Sequence, residues 1–482
     1  MNTLAILLAA AVVQPQIPRT WSDAEVASLE LPLANAKFSP RHISEKAYYQ
    51  IPERVIYKSY PVYATDKEPP GYLDWLKQQE PQVAFDESKL RTRREWIAAG
   101  ELVFNAPLTY SPVFFSAAEV LDPAFFGKDG MPVARDGTVP FARWVVRRKG
   151  VVELGSMGCN TCHTRVLPDG AVVPGAPGNN PNDREGARML QRAASHGDPT
   201  QVLQQIRRFA RGFEMPWLPD DPNRVAESLS LDEFIAAGEA IPPGVTARSN
   251  TSMVLPPQIP DLIAVRQRPY LDHTGLVRQR GIGDLMRYAS LAQGIFALDQ
   301  YPGEPALQNS PSNRYSDAQL YALSLYLYSL QPPPNPNRLD TLAARGKGVF
   351  KRERCATCHT PPLYTNDKLM PAGDFEPPAH RGSDVLDIRI GTDARYALAT
   401  RKGTGYYKVP SLKGLWYRGP FGHNGSAATL EDWFDPARLR ADYVPTGFRG
   451  YDGRTRSIPG HRFGLDLSVD DRRALVAFLK TL

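Results

Sequence analysis

Two short motifs of the form Cys-x-x-Cys-His contain the residues of this sequence with the most specific chemistry. They consist of Cys159, Cys162 and His163 and of Cys355, Cys358 and His359, and they use all four cysteines of the 482-residue chain. In this spacing the two thiols can form thioether bonds to a porphyrin, and the adjacent histidine can ligate its iron. The sequence therefore predicts two covalently attached c-type haems, one at each motif.

Other chemistries of cysteine pairs fit the sequence less well. A thioredoxin-like pair begins a helix inside a βαβ unit, and no such unit is predicted around either motif. A zinc ribbon places its cysteine pairs much closer together than Cys159 and Cys355 lie in this chain. Disulfides within each motif would leave both adjacent histidines without a role.

The bulk composition is that of a globular protein of several domains. The length suggests about three domains, and 42% of the residues are hydrophobic. The net charge is +6, but basic and acidic residues alternate along the chain, which excludes a nucleic-acid-binding class. The 45 prolines and 37 glycines indicate long ordered loops between helices.

The amino terminus has the composition of a secretory signal. Residues 4–13 are all apolar, which is too short a run to cross a bilayer but matches the core of a signal peptide. No Lys or Arg precedes this run. We expect a cleaved signal within residues 1–17, no transmembrane span in the mature chain, and a periplasmic or secreted bacterial protein, because haem attachment to cysteine pairs takes place outside the cytoplasm.

The rest of the chain divides into an extension and two haem domains. Residues 18–87 are rich in Pro and Tyr and form an N-terminal extension that wraps the body. Residues 88–331 and 338–482 are predicted as two cytochrome c-like domains, separated by a proline-rich linker. The predicted fold class is mainly α, with long loops and no β-rich domain.

Helix signals at both ends of each domain suggest an internal duplication. Residues 98–104 resemble residues 343–350, and each segment predicts a helix with a small residue where it crosses a closing helix. Ser316 and Ser468 are the predicted N-caps of the two closing helices. The second copy runs almost directly into its motif, whereas in the first a loop of roughly fifty residues intervenes.

Segments in the second domain carry a resemblance to a known family. Residues 409–416 read Val-Pro-Ser-Leu-Lys-Gly-Leu-Trp, residues 419–426 read Gly-Pro-Phe-Gly-His-Asn-Gly-Ser, and Thr429-Leu430 follows. Together with the two motifs, these segments resemble the dihaem cytochrome c peroxidase superfamily, which includes MauG-type enzymes and rubber oxygenases, over roughly residues 90–482. The N-terminal extension and the wide spacing of the motifs look more like the rubber-oxygenase branch.

The resemblance implies cofactors and partners as well as a fold. It implies two haems that exchange electrons and a calcium ion between the domains. It also implies a small oxidant, or a small cytochrome or cupredoxin as redox partner, while the substrate and the oligomeric state stay open.

The second axial ligand of the second haem is expected to be a histidine. Peroxidases of the family use a methionine late in the chain, and none follows Met370 here. His461 lies between two glycines just before the last helix, and the rubber-oxygenase resemblance also implies a late histidine. His461 is therefore the first candidate, with His423 and His380 as alternatives.

The first haem is expected to be the reactive one. Residues 166–182, where the family's peroxidases supply a second histidine, contain none. An open face opposite His163, with His273 and Tyr270 lining the pocket as catalytic residues, is the preferred interpretation. In the alternative, His196 or His273 ligates this iron.

The family also places a tryptophan between its haems as an electron relay. Trp217, Trp144 and Tyr270 are the candidates for this role in the present sequence.

Two functions remain open from the sequence. The first is a periplasmic dihaem oxidoreductase in which electrons pass between a bis-His haem and an open haem that reacts with peroxide or oxygen. The second is a dihaem electron-transfer cytochrome without catalysis.

Overall fold

A computed structural model describes residues 15–110, 115–126, 130–216, 218, 220–247, 252–301, 313–373, 375–378, 382–450 and 457–482. It contains 37% helix and 12% strand, which confirms the predicted mainly α class. Most of the expected signal segment, residues 1–14, lies outside the described residues. Within the described ranges, no helix is both long and apolar enough to cross a lipid bilayer.

The helices follow one another along the chain with short 3₁₀ turns between some of them. They are α1 Asp23–Ala27, α2 Glu45–Gln50, α3 Tyr72–Lys77, α4 Arg93–Asn105, α5 Ala117–Val120, α6 Cys159–Cys162, α7 Asn182–His196, α8 Pro199–Arg211, α9 Val225–Ser228, α10 Leu231–Glu239, α11 Ile282–Leu298, α12 Asp317–Ser329, α13 Thr341–Arg352, α14 Arg395–Leu398, α15 Leu430–Trp433 and α16 Val469–Lys480.

The strands are short and antiparallel. They are β1 Arg41–His42, β2 Ser59–Tyr63, β3 Thr138–Arg148, β4 Val151–Gly155, β5 Thr164–Val166, β6 Val172–Pro174, β7 Tyr270–Leu271, β8 Val277–Arg278, β9 Asp299–Gln300, β10 Leu369–Pro371 and β11 Tyr406–Lys408. They form the three-stranded sheet β2-β3-β4 and the pairs β1-β9, β5-β6, β7-β8 and β10-β11.

Two crossed helix pairs carry the duplicated architecture. Helix α4 packs on α12, and α13 packs on α16. A Cβ atom on Gly100 would lie 2.0 Å from the carbonyl oxygen of Ala322, and one on Gly346 would lie 1.8 Å from that of Ala474. Glycine at both crossings therefore lets the backbones touch, as the repeated sequence predicts.

Local capping explains where these helices begin. The side chains of Thr92 and Ser316 each form a capping box with a Glu or Gln three residues on. Asp340 caps α13, and Ser468 caps α16. The predicted caps at Ser316 and Ser468 are therefore confirmed.

The segment between α4 and the first motif contains strands rather than the predicted loop. Strands β3 and β4 form a hairpin around Gly150, whose φ of 80° suits a tight turn. Strand β2 of the extension pairs with β3, which buries Phe141 and Trp144 in a small core. The run of Val, Phe and Trp before Lys-Gly is a sequence signal for a hairpin. The third strand of the sheet, β2, comes from a distant part of the chain and had no such local signal.

The N-terminal extension is built into the molecule. Trp21 is fully buried and stacks on Tyr48 at a ring distance of 4.6 Å. Both belong to the core cluster that also contains residues of α4 and α12. Pairing of β1 with β9 joins the extension to the end of α11. The extension therefore helps to hold the first helix pair.

Candidate haem attachment sites

The first motif is a single helical turn anchored to the sheet. The two residues between its cysteines bond to β3: Asn160 donates to the Pro140 carbonyl at 2.6 Å, and Thr161 donates to the Phe141 carbonyl at 3.1 Å. The Nδ1 atom of His163 lies 3.1 Å from the Pro260 carbonyl oxygen and must be the donor, since a carbonyl only accepts. This bond fixes the tautomer whose Nε2 atom can ligate a metal.

Three of the four thiols, those of Cys159, Cys355 and Cys358, lie in surroundings that raise their pKa and do not favour thiolate chemistry. None forms a disulfide. Burial raises the pKa of Cys159 to about 12 and that of Cys355 to about 11. Redox-active cysteine pairs instead have lowered thiol pKa values. The surroundings thus argue against a thioredoxin-like role and are compatible with covalent attachment.

The second motif follows directly after α13. Its turn spans Cys355–Thr357, and Arg354 enters it with a φ of 59°. The Nδ1 atom of His359 lies 3.2 Å from the carbonyl oxygen of Tyr364, so it donates there as His163 does to Pro260. The motif lines a cavity of about 540 Å³, which lies within the range of about 300–1,000 Å³ for ligand pockets.

His461 faces His359 across this cavity. The centres of the two rings are 6.4 Å apart, with an angle of 60° between the ring planes. Metal–imidazole bonds are about 2 Å long and each ring centre lies about 1 Å beyond its nitrogen, so trans ligands have centres about 6 Å apart. Nδ1 of His461 is buried, and no described residue offers it a hydrogen bond. Two facing imidazoles at this distance fit an iron between them.

Burial also favours the protonation state that a ligand needs. It lowers the pKa of His461 to about 3 and holds that of His359 below its usual value. Both rings are therefore neutral near pH 7, which is the form that binds metals.

His423, the alternative ligand, is engaged elsewhere. Its Nε2 atom lies 3.3 Å from the Asp393 carboxylate, and its ring stacks on Tyr407 at 4.6 Å. Burial alone would raise the pKa of Asp393, but His423 and Arg395 outweigh it and hold that pKa well below its usual range. These contacts favour His461 over His423, whose role as a ligand stays a prediction. His380 lies outside the described residues.

His273 and Tyr270, the predicted lining of the first haem pocket, both line the cavity of the second motif. His273 Nε2 donates to the Gln258 carbonyl oxygen at 2.6 Å, two residues from the Pro260 carbonyl that holds His163. Their catalytic role at the first motif stays a prediction.

The remaining histidines are also placed away from the first motif. His196 is exposed at the end of α7, where its Nδ1 lies 2.9 Å from the Arg192 carbonyl oxygen. His42 pairs with Asp299 at 2.6 Å. His196 and His42 therefore both bond to groups outside the two motifs.

The backbone at Pro260 lies between the first motif and the cavity of the second motif. Pro260 accepts the His163 hydrogen bond and also lines the second cavity. Trp144, a predicted relay, lies instead in the core of the sheet, and Trp217 lies outside the described residues. The role of Pro260 could not be predicted from the sequence, because every residue has a backbone carbonyl and its type does not show which carbonyl will accept a bond.

The calcium ion that the family resemblance implies stays a prediction. The described residues contain no group of three or more His, Cys, Asp or Glu side chains able to hold a metal. A guanidinium joins the two halves: Arg165 donates to the carbonyls of Pro177 and Gly419, each at 3.0 Å. Burial lowers the pKa of Arg165 to about 10, still well above neutrality. A fixed positive charge therefore lies between the halves.

Comparison with known proteins places the chain among distant relatives. No family model matches it. It is 29% identical to the methylamine utilization protein MauG of Methylorubrum extorquens over 29% of this chain and 34% of that protein. It is 28% identical to the cytochrome-c peroxidase IdrP1 of Denitromonas iodatirespirans over 29% of this chain and 40% of that protein. The chain thus spans about a third to two fifths of the length of the curated relatives it matches.

Solved structures with partial similarity include two proteins. One is the hydrazine synthase of Kuenenia stuttgartiensis, with 18% identity, a TM-score of 0.31, and coverage of 51% of this chain and 79% of that one. The other is a MauG-like protein associated with microbial copper homeostasis, with 16% identity, a TM-score of 0.32, and coverage of 50% and 78%.

The sequence matches establish distant homology to the MauG and cytochrome c peroxidase family over part of the chain. Neither relative's name points to the rubber-oxygenase branch, so that finer placement stays a prediction.

Proposed function

We propose that this chain is an exported dihaem c-type oxidoreductase in which one iron is closed by two histidines and the other reacts with a small oxidant. His359 and His461 hold the iron of the second haem. His163 holds the iron of the first, whose opposite face is open to peroxide or dioxygen. The observation that carries the proposal is the pair of His359 and His461 rings at the second motif, whose centres lie 6.4 Å apart. The open first iron rests on the sequence, since residues 166–182 contain no histidine.

Haem bound at these motifs would supply one-electron redox chemistry and, at an open iron, a place for an oxidant to bind. The protein supplies orientation and electrostatics. The carbonyls of Pro260 and Tyr364 fix the rings of His163 and His359 and increase their basicity as ligands. The distant relatives, a MauG protein and a cytochrome-c peroxidase, support the oxidoreductase class.

Electrons pass between the sites through the segment that both share. Pro260 contacts His163 on one side and the second cavity on the other. The closed second site exchanges electrons with a small cytochrome or cupredoxin in the periplasm, and the first site delivers them to the oxidant.

The proposal is tested by counting haems and open irons. The denatured protein should retain the mass of two haems, and a variant with Cys355 and Cys358 replaced by alanine should retain one. Electron paramagnetic resonance of the oxidised protein should show one low-spin and one high-spin ferric signal, and cyanide should convert only the high-spin signal.

Two low-spin signals that cyanide leaves unchanged would instead establish an electron-transfer cytochrome without catalysis. Absence of covalent haem would refute both functions.

A further inference from the structure

Three cationic side chains converge on the cavity that contains His359 and His461. Arg268, Lys408 and Arg418 all line it, although they come from a 3₁₀ turn, strand β11 and the loop after it. Near them the cavity has two carboxylates, Asp261 and Asp367. Its other charged lining residues, Glu353 and Arg354, lie beside the motif at the end of α13.

The two guanidinium groups are only loosely paired with acid. The Asp261 carboxylate lies 3.8 Å from Arg268 and 3.7 Å from Nε of Arg418, beyond the roughly 2.7–2.9 Å of a charge-assisted hydrogen bond. That carboxylate already accepts from the Ile263 amide at 2.9 Å and from the Tyr417 hydroxyl at 3.4 Å. Nε of Arg418 is buried, and no described residue offers it an acceptor.

The positive charge of Lys408 has even fewer compensating contacts than the two guanidinium groups. Its ammonium donates to the Tyr270 carbonyl at 3.2 Å, although an ammonium carries three donors. Burial, followed by repulsion from Arg268, lowers its pKa to about 7, and Asp272 and Asp367 oppose this only in part. Burying such a charge without an anion costs free energy, so this side of the cavity is suited to bind a negatively charged group.

We propose that Arg268, Lys408 and Arg418 form a carboxylate-binding cradle that holds the propionate groups of the second haem. The inference rests on the proposed function, since it assumes haem at Cys355 and Cys358. A porphyrin of this type carries two carboxylates at its edge, and guanidinium and ammonium groups are their usual partners in proteins.

The cradle also lies next to the first site. Arg268 donates to the carbonyls of Asp261 and Ile263. The residue before Asp261 is Pro260, whose carbonyl holds His163. A carboxylate bound by Arg268 thus lies close to the peptide that links the two sites, which couples the charge of the second haem to the ligand of the first.

The test replaces each cation and follows the second haem itself. Arg268→Gln, Lys408→Gln and Arg418→Gln should each lower the midpoint potential of the low-spin haem, because nearby positive charge stabilises the reduced iron. Each should also shift the propionate bending band in the resonance Raman spectrum. Arg266→Gln, an exposed cation two residues from Arg268, should change neither. Unchanged potentials and bands in all three variants with full haem content would overturn the cradle.

Conservative variants separate charge from packing. Arg268→Lys and Lys408→Arg keep the charge and should keep the wild-type potential. An equal fall of potential in these variants would show that packing sets it, which would refute the proposal even if the glutamine variants fail to fold.

A free carboxylate is the other source of the same chemistry. Titration of the wild type with succinate should leave the visible spectrum unchanged if propionates fill the cradle. A saturable change that Arg418→Gln abolishes would assign the cradle to a free anion and overturn the haem assignment. Loss of covalent haem in the wild type would be seen by mass and would refute the proposed function instead.

Discussion

His461 occupies a backbone conformation that few non-glycine residues adopt. Its φ is 45°, and it follows Gly460 at 77°. The Arg438 guanidinium donates to the carbonyls of Ile458, Gly460 and His461, and the His461 amide donates to the Ile390 carbonyl at 2.8 Å. Such strain persists only where surrounding contacts hold it, and here it aims the ring at His359.

His461→Ala is expected to convert the low-spin ferric signal of the second haem to high spin, because it removes a strong axial ligand. Electron paramagnetic resonance measures the change. The exposed His196→Ala serves as the control and should leave the spectrum as in the wild type. A low-spin signal that survives in His461→Ala but disappears in His423→Gln would move the ligand to His423.

Asp183, on the first turn of α7, is a buried carboxyl with incomplete hydrogen bonding. The Thr246 hydroxyl bonds to it, but its Oδ2 atom is buried without a partner among the described residues. Burial raises its pKa to about 7. An aspartate in the unfolded chain ionises at about pH 4. Between this pH and the folded-state pKa of about 7, folding takes up a proton, so the contribution of Asp183 to stability falls as the pH rises.

Asp183→Asn should remove this penalty, since an amide does not ionise. We expect the variant to be more stable than the wild type by about 4 kcal/mol at pH 8 and by less than about 1 kcal/mol at pH 4. Urea denaturation across this range measures the difference. The exposed Asp232→Asn is the control, and a variant whose stability follows the wild-type pH curve would contradict the assignment.

At the scale of elements, the two helix crossings set the positions of the motifs. Helix α13 leads directly into the turn at Cys355, and α4 contacts the turn at Cys159. Each crossing depends on a glycine whose added Cβ would overlap a backbone carbonyl on the partner helix. The close approach therefore determines where each Cys-x-x-Cys-His motif lies relative to its closing helix.

Gly346→Ala should destabilise the second helix pair by about 1–3 kcal/mol, because the methyl group cannot fit 1.8 Å from the Ala474 oxygen. Gly348→Ala, on the same helix with no atom within 4 Å of its added Cβ, should be neutral or stabilising by up to about 1 kcal/mol. Chemical denaturation compares the two. Equal effects would show that α13 and α16 do not touch at Gly346.

At the scale of the molecule, a buried charge network joins the extension to both halves. The Lys402 ammonium lies 2.5 Å from Glu30 of the extension and 2.6 Å from Asp299. His42 also pairs with Asp299 at 2.6 Å. The Lys402 side chain is 2% exposed, so its removal leaves two acids in the interior with only the His42 imidazole beside them among the described residues.

Lys402→Met should therefore cost about 3 kcal/mol of unfolding free energy and release the extension for cleavage. Denaturation and limited proteolysis measure the two effects. Lys37→Met, at an exposed lysine of the same extension, should behave as the wild type. Proteolysis at the wild-type rate in Lys402→Met would show that the extension is held independently of this network.

The sequence by itself determined the features that depend on neighbouring residues. The two motifs, the caps at Ser316 and Ser468, and the glycines at the helix crossings all follow from spacing within a few residues of the chain. The β3–β4 hairpin could also have been predicted from local residues, although a loop was expected there.

Only the tertiary structure decided what lies around each motif. It brought the centres of the His461 and His359 rings to 6.4 Å, bonded His273 to the Gln258 carbonyl, and supplied the Pro260 carbonyl from 97 positions away. Attachment and capping are local chemistry that residue types encode directly. A second ligand, a carbonyl partner or a cationic wall exists only once distant segments have packed, because packing alone brings such groups within bonding distance.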